Sequence, residues 1–247
     1  VWGPGFIAAR KVRMLHASMR FMLLHPEAMA GARASGAPQT LSDALRQQYS
    51  VRKWPTAERG VPVNQEDLAY TLLTFSYLLP RGLEIWGCRV TLEQKEAFLH
   101  LWKLIGHIMG IREDLMTDRW DEAEALFERI AGRQVGPSEA GVALTDAVAW
   151  FLASYLPEWG VLRYYLPYTL IADQLGMERA QMLLGPAEQD RLQSSPGQII
   201  LKVAHQTVVL YYGFYQNLLD RLPLLRPLFG DLFHKTSDEL ISSWRDE

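Results

Sequence analysis

The sequence predicts an all-α fold. Apolar residues recur with the period of an α-helix along almost all of the 247 residues. The alternation of apolar and polar residues that marks a β-strand between tight turns is hard to find. Residues that favour helix ends stand at the borders of several periodic stretches. Together these observations predict a multi-helix protein without a sheet.

The first helix is predicted from about Gly5 to Leu24. It ends before Pro26, because the residue that precedes a proline is pushed out of helical geometry. Its apolar stripe is predicted to consist of Phe6, Val12, Leu15, Met19 and Met22. Residues 31–63 are rich in Gly, Pro, Ser and Gln, so we expect an extended excursion with one short helix at 40–49.

The segment "VPVNQEDLAYTLLTFSYLL" predicts a second strong helix. Asn64 is a good N-cap, and Asp67 places a negative charge in the first turn, where the helix dipole favours it. Pro80 and Gly82 are expected to disturb the helix. The apolar stripe is predicted to consist of Leu68, Thr71, Leu72, Phe75 and Leu79.

A third helix is predicted in "TLEQKEAFLHLWKLIGHIMG". Thr91 and Gln94 have the spacing of a capping box, and Gly110 is expected to end the helix. Another helix is expected over about 118–131, ending at Gly132. The segment "PLLRPLFGDLF" is expected to be broken before a final helical turn. Further helices are predicted near 138–156, 161–175, 177–184 and 196–220.

Composition excludes several classes of protein. The net charge is -3 and basic residues are spread along the chain, so we expect no nucleic-acid partner and no polybasic membrane tether. Cys88 is the single cysteine, which excludes an intramolecular disulfide and a thiolate-rich zinc site. The longest uncharged stretches are too short to span a membrane, and "VWGPGF" does not read as a signal peptide. Eight Trp, ten Tyr and nine Phe could line a pocket for a hydrophobic ligand.

Six histidines are candidates for chemistry, but their spacing matches no common metal motif. Neither HExxH nor the Glu-x-x-His of di-iron bundles occurs. Glu96 and His100 share a helix face, which is more typical of an exposed contact than of a ligand pair. His100 and His107 also share a side, so they are either metal ligands or polar residues at the core margin. Structural roles are expected for His25, His205 and His234.

Patterns for other catalytic classes are absent. The chain has no G-x-S-x-G elbow with a sheet to carry it, no GxGxxG and no GxxxxGK[ST]. His16 lies in the helical stretch "ARKVRMLHAS", where it is either a core residue or a ligand. A helical, aromatic-rich protein with histidines but no catalytic dyad fits a bound cofactor that carries the chemistry.

Three blocks carry a resemblance to a known family. "ARKVRMLHASMR", "GVPVNQEDLAYTLLTFS" and "FLHLWKLIGHIMGIREDLM" resemble, in this order, the catalytic domain of the rubber oxygenase (latex clearing protein) and mycophenolic-acid B-type oxygenase family. The resemblance implies a globin-like fold that holds haem b. It makes His16, in the R-x-x-H-A segment, the axial iron ligand. Arg13 would pair with a haem propionate or be an exposed arginine, and Thr71 would lie in the haem surroundings.

The resemblance also sets the expected function and its limits. In the family, the distal acidic, lysine, arginine and threonine residues precede the R-x-x-H-A helix, so we expect them upstream of Val1. Residues 1–247 would then be a single helical catalytic domain that lacks its N-terminal part. The expected function is oxidation of double bonds in a hydrophobic, isoprenoid-like substrate with O2. The alternatives are a helical lipid- or prenyl-binding protein without chemistry, and a non-haem metalloprotein that uses His100 and His107.

Overall fold

A computed structural model describes residues 3–26, 54–158 and 160–222, with positions 227 and 235 in isolation. These residues form helices and their connections and contain no β-strand, so the all-α prediction is confirmed for the part of the chain that is described. The short helix predicted at 40–49, most of the segment "PLLRPLFGDLF" and His234 lie outside these residues. Within them, no helix is long and apolar enough to cross a membrane.

The helices are numbered in chain order. They are α1 Pro4–Leu24, α2 Thr56–Arg59, α3 Gln65–Ser76, α4 Leu78–Ile85, α5 Leu92–Met109, α6 Trp120–Gln134, α7 Glu139–Ser154, α8 Val161–Leu175, α9 Met177–Ala180, α10 Pro186–Gln193 and α11 Ser195–Arg221, with a 3-10 turn at Glu113–Leu115.

Helix α1 has the predicted ends but buries a different side. Pro4 stands in its first turn, where the missing N–H costs nothing, and the helix ends at Leu24 before Pro26. Ala9 is its one buried residue, whereas Val12 and Leu15 are 40% and 58% exposed. The apolar stripe predicted for this helix is therefore wrong at both positions. Two of its arginines make hydrogen bonds to the rest of the first unit, described below.

Capping fixes the starts of α3 and α5 as predicted. The Asn64 side chain accepts hydrogen bonds from the N–H groups of Glu66 and Asp67, and Asp67 accepts one from the Asn64 N–H. Thr91 and Gln94 form the same reciprocal arrangement at α5. Gly110 ends α5 with φ 86°, a left-handed conformation that a residue with a side chain adopts at a cost. These signals work because each involves residues at most four positions apart.

Two predicted helix ends are displaced. Helix α3 stops at Ser76, and the chain restarts as α4 at Leu78, so that Pro80 falls in a first turn, where it is tolerated. Helix α6 runs on to Gln134, so the predicted end at Gly132 is wrong. A Cβ at Gly132 would meet no atom within 4 Å, so this glycine occupies an open helical position and costs only its lower helix propensity.

The chain divides into two compact units. The first comprises Val1–Pro80 and Thr91–Val135, and the second comprises Arg81–Val90 and Gly136–Glu247. The prediction that residues 1–247 form a single domain stays a prediction. The core of the first unit contains the buried residues Leu68, Ala69, Leu72, Leu73, Tyr77, Leu99, Ile111, Met116, Ala123, Phe127, Ile130 and Ala131.

In the second unit, α8 packs against α7, α9 and α11, and α10 packs against α11. Its buried cluster is small and consists of Ala172, Ala180, Leu184 and Leu192. The helices predicted near 138–156, 161–175 and 196–220 are present with slightly different ends. The helix predicted at 177–184 is the shorter α9, and α10 was not predicted because its residues carry almost no apolar periodicity.

Candidate functional site

Two arginines attach α1 to its neighbours in the first unit. Arg13 Nη1 donates to the Ile108 carbonyl over 3.1 Å, in the last turn of α5, and its guanidinium lies against Gly110. Arg20 Nε donates to the Pro62 carbonyl over 3.1 Å, and Arg20 Nη2 donates to the Val63 carbonyl. A cation near a helix C-terminus also interacts favourably with the helix dipole. Backbone carbonyls on two neighbouring segments thus help to hold α1 in place.

His16 lies on α1 between these two arginines. Its side chain is half-buried, and its ring makes no hydrogen bond or ion pair with the residues that the structure describes. Val12, Met19 and Leu23 follow the same side of the helix, since they are separated from His16 by one or two turns. Val12 is 40% exposed, and the other two are half-buried. The imidazole therefore combines an apolar flank with two uncommitted nitrogens.

A cleft of about 520 Å³ separates α1 from the end of α5. Its walls are Phe6, Arg10, Arg13, Met14, Ala17, His107 and Ile108. His16 is not among them, because successive residues of a helix are turned by about 100°, which leaves His16 to one side of the lining residues. The cleft thus brings three basic side chains to an apolar groove, and one of them, Arg13, lies one turn before His16 on a neighbouring part of the helix surface.

The structure does not bring Thr71 together with His16 and Arg13. Thr71 is exposed, and none of the described hydrogen bonds joins it to α1; its carbonyl accepts a bond of 2.7 Å from Thr74 Oγ1. The prediction that Thr71 lies on the inward stripe of its helix is wrong. The buried side of α3 consists of Leu68, Ala69, Leu72, Leu73 and Ser76.

The residues of the alternative metal site have different neighbours. His100 is exposed, and its Nδ1 lies 3.0 Å from Asp118 Oδ1. Lys103 Nζ lies 2.9 Å from Asp118 Oδ2, and hydrogen bonds from Lys103 and then His100 lower the pKa of the Asp118 carboxyl. Glu96 accepts from the Trp120 N–H over 3.4 Å and so does not pair with His100.

His107 faces the cleft beside α1 instead. Among the described residues, no group of three or more His, Cys, Asp or Glu side chains could hold a metal ion. His100 and His107 therefore do not form a recognisable centre with each other or with a third ligand in this part of the chain.

Two further histidines have local partners that agree with a structural role. The His25 ring lies against Phe21, with ring centroids 4.8 Å apart, and the backbone N–H of His25 donates to the Phe21 carbonyl at the end of α1. His205 Nδ1 lies 2.9 Å from Asp173 Oδ1 in the second unit. The other oxygen of this carboxylate accepts from Trp86 Nε1 over 3.1 Å.

Sequence reasoning missed Arg20 and Arg10. Arg20 follows Arg13 by seven residues, a spacing that returns both to one side of a helix. Arg10 lines the cleft and lies with its guanidinium carbon 5.8 Å from the centre of the Phe6 ring. The spacing of Arg13 and Arg20 can be read from the sequence. Their carbonyl acceptors cannot, because these lie far away along the chain.

The geometry around His16 meets the basic requirements of a haem ligand. A haem iron takes a neutral imidazole nitrogen, which must not be committed to another group, and the macrocycle needs an apolar surface beside the ligand. His16 is half-buried and without a described partner, and Val12, Met19 and Leu23 supply apolar surface on its side of α1. Arg13 keeps further N–H groups beyond the one donated to Ile108.

Comparison with known proteins identifies the family to which the chain belongs. A rubber oxygenase of Streptomyces sp. (strain K30) is 24% identical over 188 residues, which cover 73% of this chain and 40% of that protein. A structure of latex clearing protein in its closed state is similar with a TM-score of 0.52 at 21% identity, over 83% of this chain and 54% of the other. The chain thus spans about two fifths to one half of these proteins. Residues 4–206 match the model of one protein family, and the chain belongs to it: the catalytic domain of ER-bound oxygenase mpaB/B' and rubber oxygenase.

Proposed function

We propose that this chain is the haem-binding part of an oxygenase that acts on a hydrophobic, isoprenoid-like substrate. The observation that carries the proposal is His16, a half-buried imidazole with no described partner on an apolar helix flank, in the segment that the family resemblance makes the axial ligand. Haem b, when bound, supplies an iron that activates O2 for cleavage of a carbon–carbon double bond into two carbonyl groups.

The residues of α1 would hold the cofactor and keep it dry. One nitrogen of His16 would bind the iron, which requires the neutral ring. Arg13 and Arg20 fix α1 through the carbonyls of Ile108, Pro62 and Val63, so the ligand is positioned by hydrogen bonds on both sides of it along the helix. Val12, Met19 and Leu23 would exclude water from one face of the macrocycle. The N–H groups that remain on Arg13 would suit a propionate.

The test of the cofactor is the absorption spectrum of the protein reconstituted with haem. The unchanged protein should show a Soret band, and His16→Ala should lose or shift it. Adding free imidazole to His16→Ala should restore the original band, because a small imidazole fits the space that the side chain leaves. His25→Ala, directly after the last residue of the same helix, is the matched control and should retain the band. Equal spectra for the two variants, or no Soret band at all, would refute the assignment of His16.

A second candidate function follows from the cleft beside α1. Its basic residues Arg10, Arg13 and His107 border apolar Phe6, Met14 and Ile108, an arrangement suited to an anionic amphiphile held without chemistry. Oxygen uptake with a prenyl substrate separates the two functions, because a binding protein takes up ligand and consumes no O2.

A further inference from the structure

The second unit contains a small aromatic cavity that the proposed oxygenase does not use. Its volume is about 120 Å³, well below the roughly 300–1,000 Å³ of pockets for drug-sized ligands, so it fits one small head group. It lies where α7, α8 and α10 meet. The side chains that define its chemistry are Trp150, Tyr164, Tyr165, Tyr168, Glu188 and Arg191.

The rings form adjoining walls of this cavity. The Trp150 and Tyr164 rings have centroids 4.8 Å apart and an angle of 51° between their planes, so their faces are not stacked on each other. Tyr165 and Tyr168 add further rings from the same helix as Tyr164. The Arg163 guanidinium carbon lies 5.6 Å from the centre of the Tyr164 ring, so this ring already makes one cation–π contact.

The charges around Tyr168 favour a cation in the cavity. Tyr168 donates its hydroxyl hydrogen to Asp146 Oδ1 over 2.9 Å, and Glu188 lines the cavity. Desolvation, followed by this hydrogen bond and by the charges of Asp146 and Glu188, raises the pKa of Tyr168 to about 12. The negative charges of Asp146 and Glu188 thus both act on the Tyr168 hydroxyl, which lies at this cavity.

Arg191 also lines the cavity, and its positive charge opposes them. Burial raises the pKa of Tyr165, while the Arg191 charge acts against this shift and the Glu188 charge adds to it. Arg191 is exposed at the end of α10, so its charge is partly screened by solvent.

We propose that this cavity binds a quaternary ammonium group, with the faces of Trp150 and the three tyrosines around the cation and Glu188 as its counter-charge. A quaternary ammonium group has no hydrogen-bond donors, so it is recognised by its charge and shape. Proteins recurrently bind choline-type and methylated ammonium groups by surrounding the cation with aromatic side chains. The size of the cavity selects the head group, and the ring faces select for positive charge.

The experiment titrates the protein with tetramethylammonium chloride and, separately, with neopentyl alcohol, a neutral molecule of similar shape. Isothermal calorimetry or ligand-observed NMR measures binding. We expect the cation to bind and the alcohol to bind at least about tenfold more weakly. Glu188→Gln and Trp150→Leu should each weaken the cation about tenfold, whereas Arg191→Gln should strengthen it.

Tyr211→Leu is the matched control, because Tyr211 is an aromatic residue of the same unit, 62% exposed and outside the cavity. It should leave the affinity unchanged. Trp150 is also 62% exposed, so its replacement does not disturb a core. Absence of binding at millimolar tetramethylammonium, equal binding of the alcohol, or equal losses in Trp150→Leu and Tyr211→Leu would overturn the proposal.

Vesicles identify the source of the ligand once binding of the free cation is established. If the protein floats with phosphatidylcholine vesicles but not with phosphatidylglycerol vesicles, and Glu188→Gln abolishes flotation, the head group belongs to a lipid. If the protein binds free tetramethylammonium and floats with neither, the ligand is a small soluble cation. Both outcomes support the quaternary ammonium site.

Discussion

The junction of α10 and α11 leaves no room for a side chain at Gly197, so Gly197→Ala is expected to destabilise the protein. A Cβ at this position would overlap the carbonyl oxygen of Arg191 and lie 3.0 Å from the Cα of Leu192. These are backbone atoms of α10, so the overlap is relieved only if that helix moves. Gly197 itself is held, because its N–H donates to the side chain of Ser194, the N-cap of α11, over 3.2 Å.

Two effects of opposite sign determine the size of the change. Replacing glycine by alanine inside a helix gains about 0.5–1 kcal/mol of stability. Overpacking a close-packed site costs about 1–3 kcal/mol and more where side chains cannot yield. Because the colliding atoms are backbone, we expect the second effect to win by about 2 kcal/mol at Gly197. Gly213 lies in the same helix with no atom within 4 Å of its Cβ position, so Gly213→Ala should be neutral or stabilising by up to about 1 kcal/mol.

Urea unfolding followed by far-UV circular dichroism measures both variants against the unchanged protein. Thermal unfolding gives a second measure. For a chain of this size, 1 kcal/mol corresponds to about 2–4 °C in melting temperature, so the melting temperatures of the two alanine variants should differ by several degrees. The slope of the transition should stay the same if only stability changes. Equal midpoints for Gly197→Ala and Gly213→Ala would show that α10 can shift freely and that the packing at this junction does not limit stability.

Three further predictions concern local interactions. Asn64→Ala removes the acceptor of two backbone N–H groups and should cost about 1 kcal/mol in urea unfolding, with an unchanged midpoint refuting the cap. Hydrogen bonding to Lys103 lowers the pKa of Asp118, so the stability that Asp118 contributes is present above its pKa in the unfolded chain and is lost as the pH falls through its pKa in the folded protein. Lys103→Met should therefore make the melting temperature fall less steeply at acid pH, measured as melting temperature against pH. The pKa of Tyr168 is raised, so the stability that Tyr168 contributes is present below the unfolded pKa near 10 and is lost as the pH rises through about 12. Phenolate absorbance against pH should show one tyrosine that ionises at higher pH than the others, and Tyr168→Phe should remove this step.

The ends of helices could be predicted from the sequence wherever the capping groups are chain neighbours. Asn64, Thr91 and Gly110 act on N–H and carbonyl groups a few residues away, and their predicted roles are confirmed. Gly132 shows the limit of such signals. A glycine ends a helix only if its conformation or surroundings require it, and Gly132 lies in open space, so the helix continues to Gln134.

The buried side of a helix was harder to predict, because it depends on partners that lie far away along the chain. Thr71 lies one helical turn after the buried Leu68, but Thr71 itself is exposed. The buried side of α3 extends from Leu68 and Leu72 towards Ala69, Leu73 and Ser76. The apolar period defines a broad stripe. It does not say which edge of that stripe meets the neighbouring helix.

The same reasoning explains the exposed apolar residues of α1 and why they bear on His16. If apolar contacts attached this helix, Val12 and Leu15 would be buried and little room would remain beside the imidazole. Arg13 and Arg20 bond α1 to backbone carbonyls, and Val12 and Leu15 stay 40% and 58% exposed. A helix that arginines help to fix can present an apolar flank and the His16 imidazole to a bound cofactor. Replacing Arg20 with Met should therefore loosen α1 and weaken haem retention while His16 itself is unchanged, and full retention in Arg20→Met would show that α1 is held by other contacts.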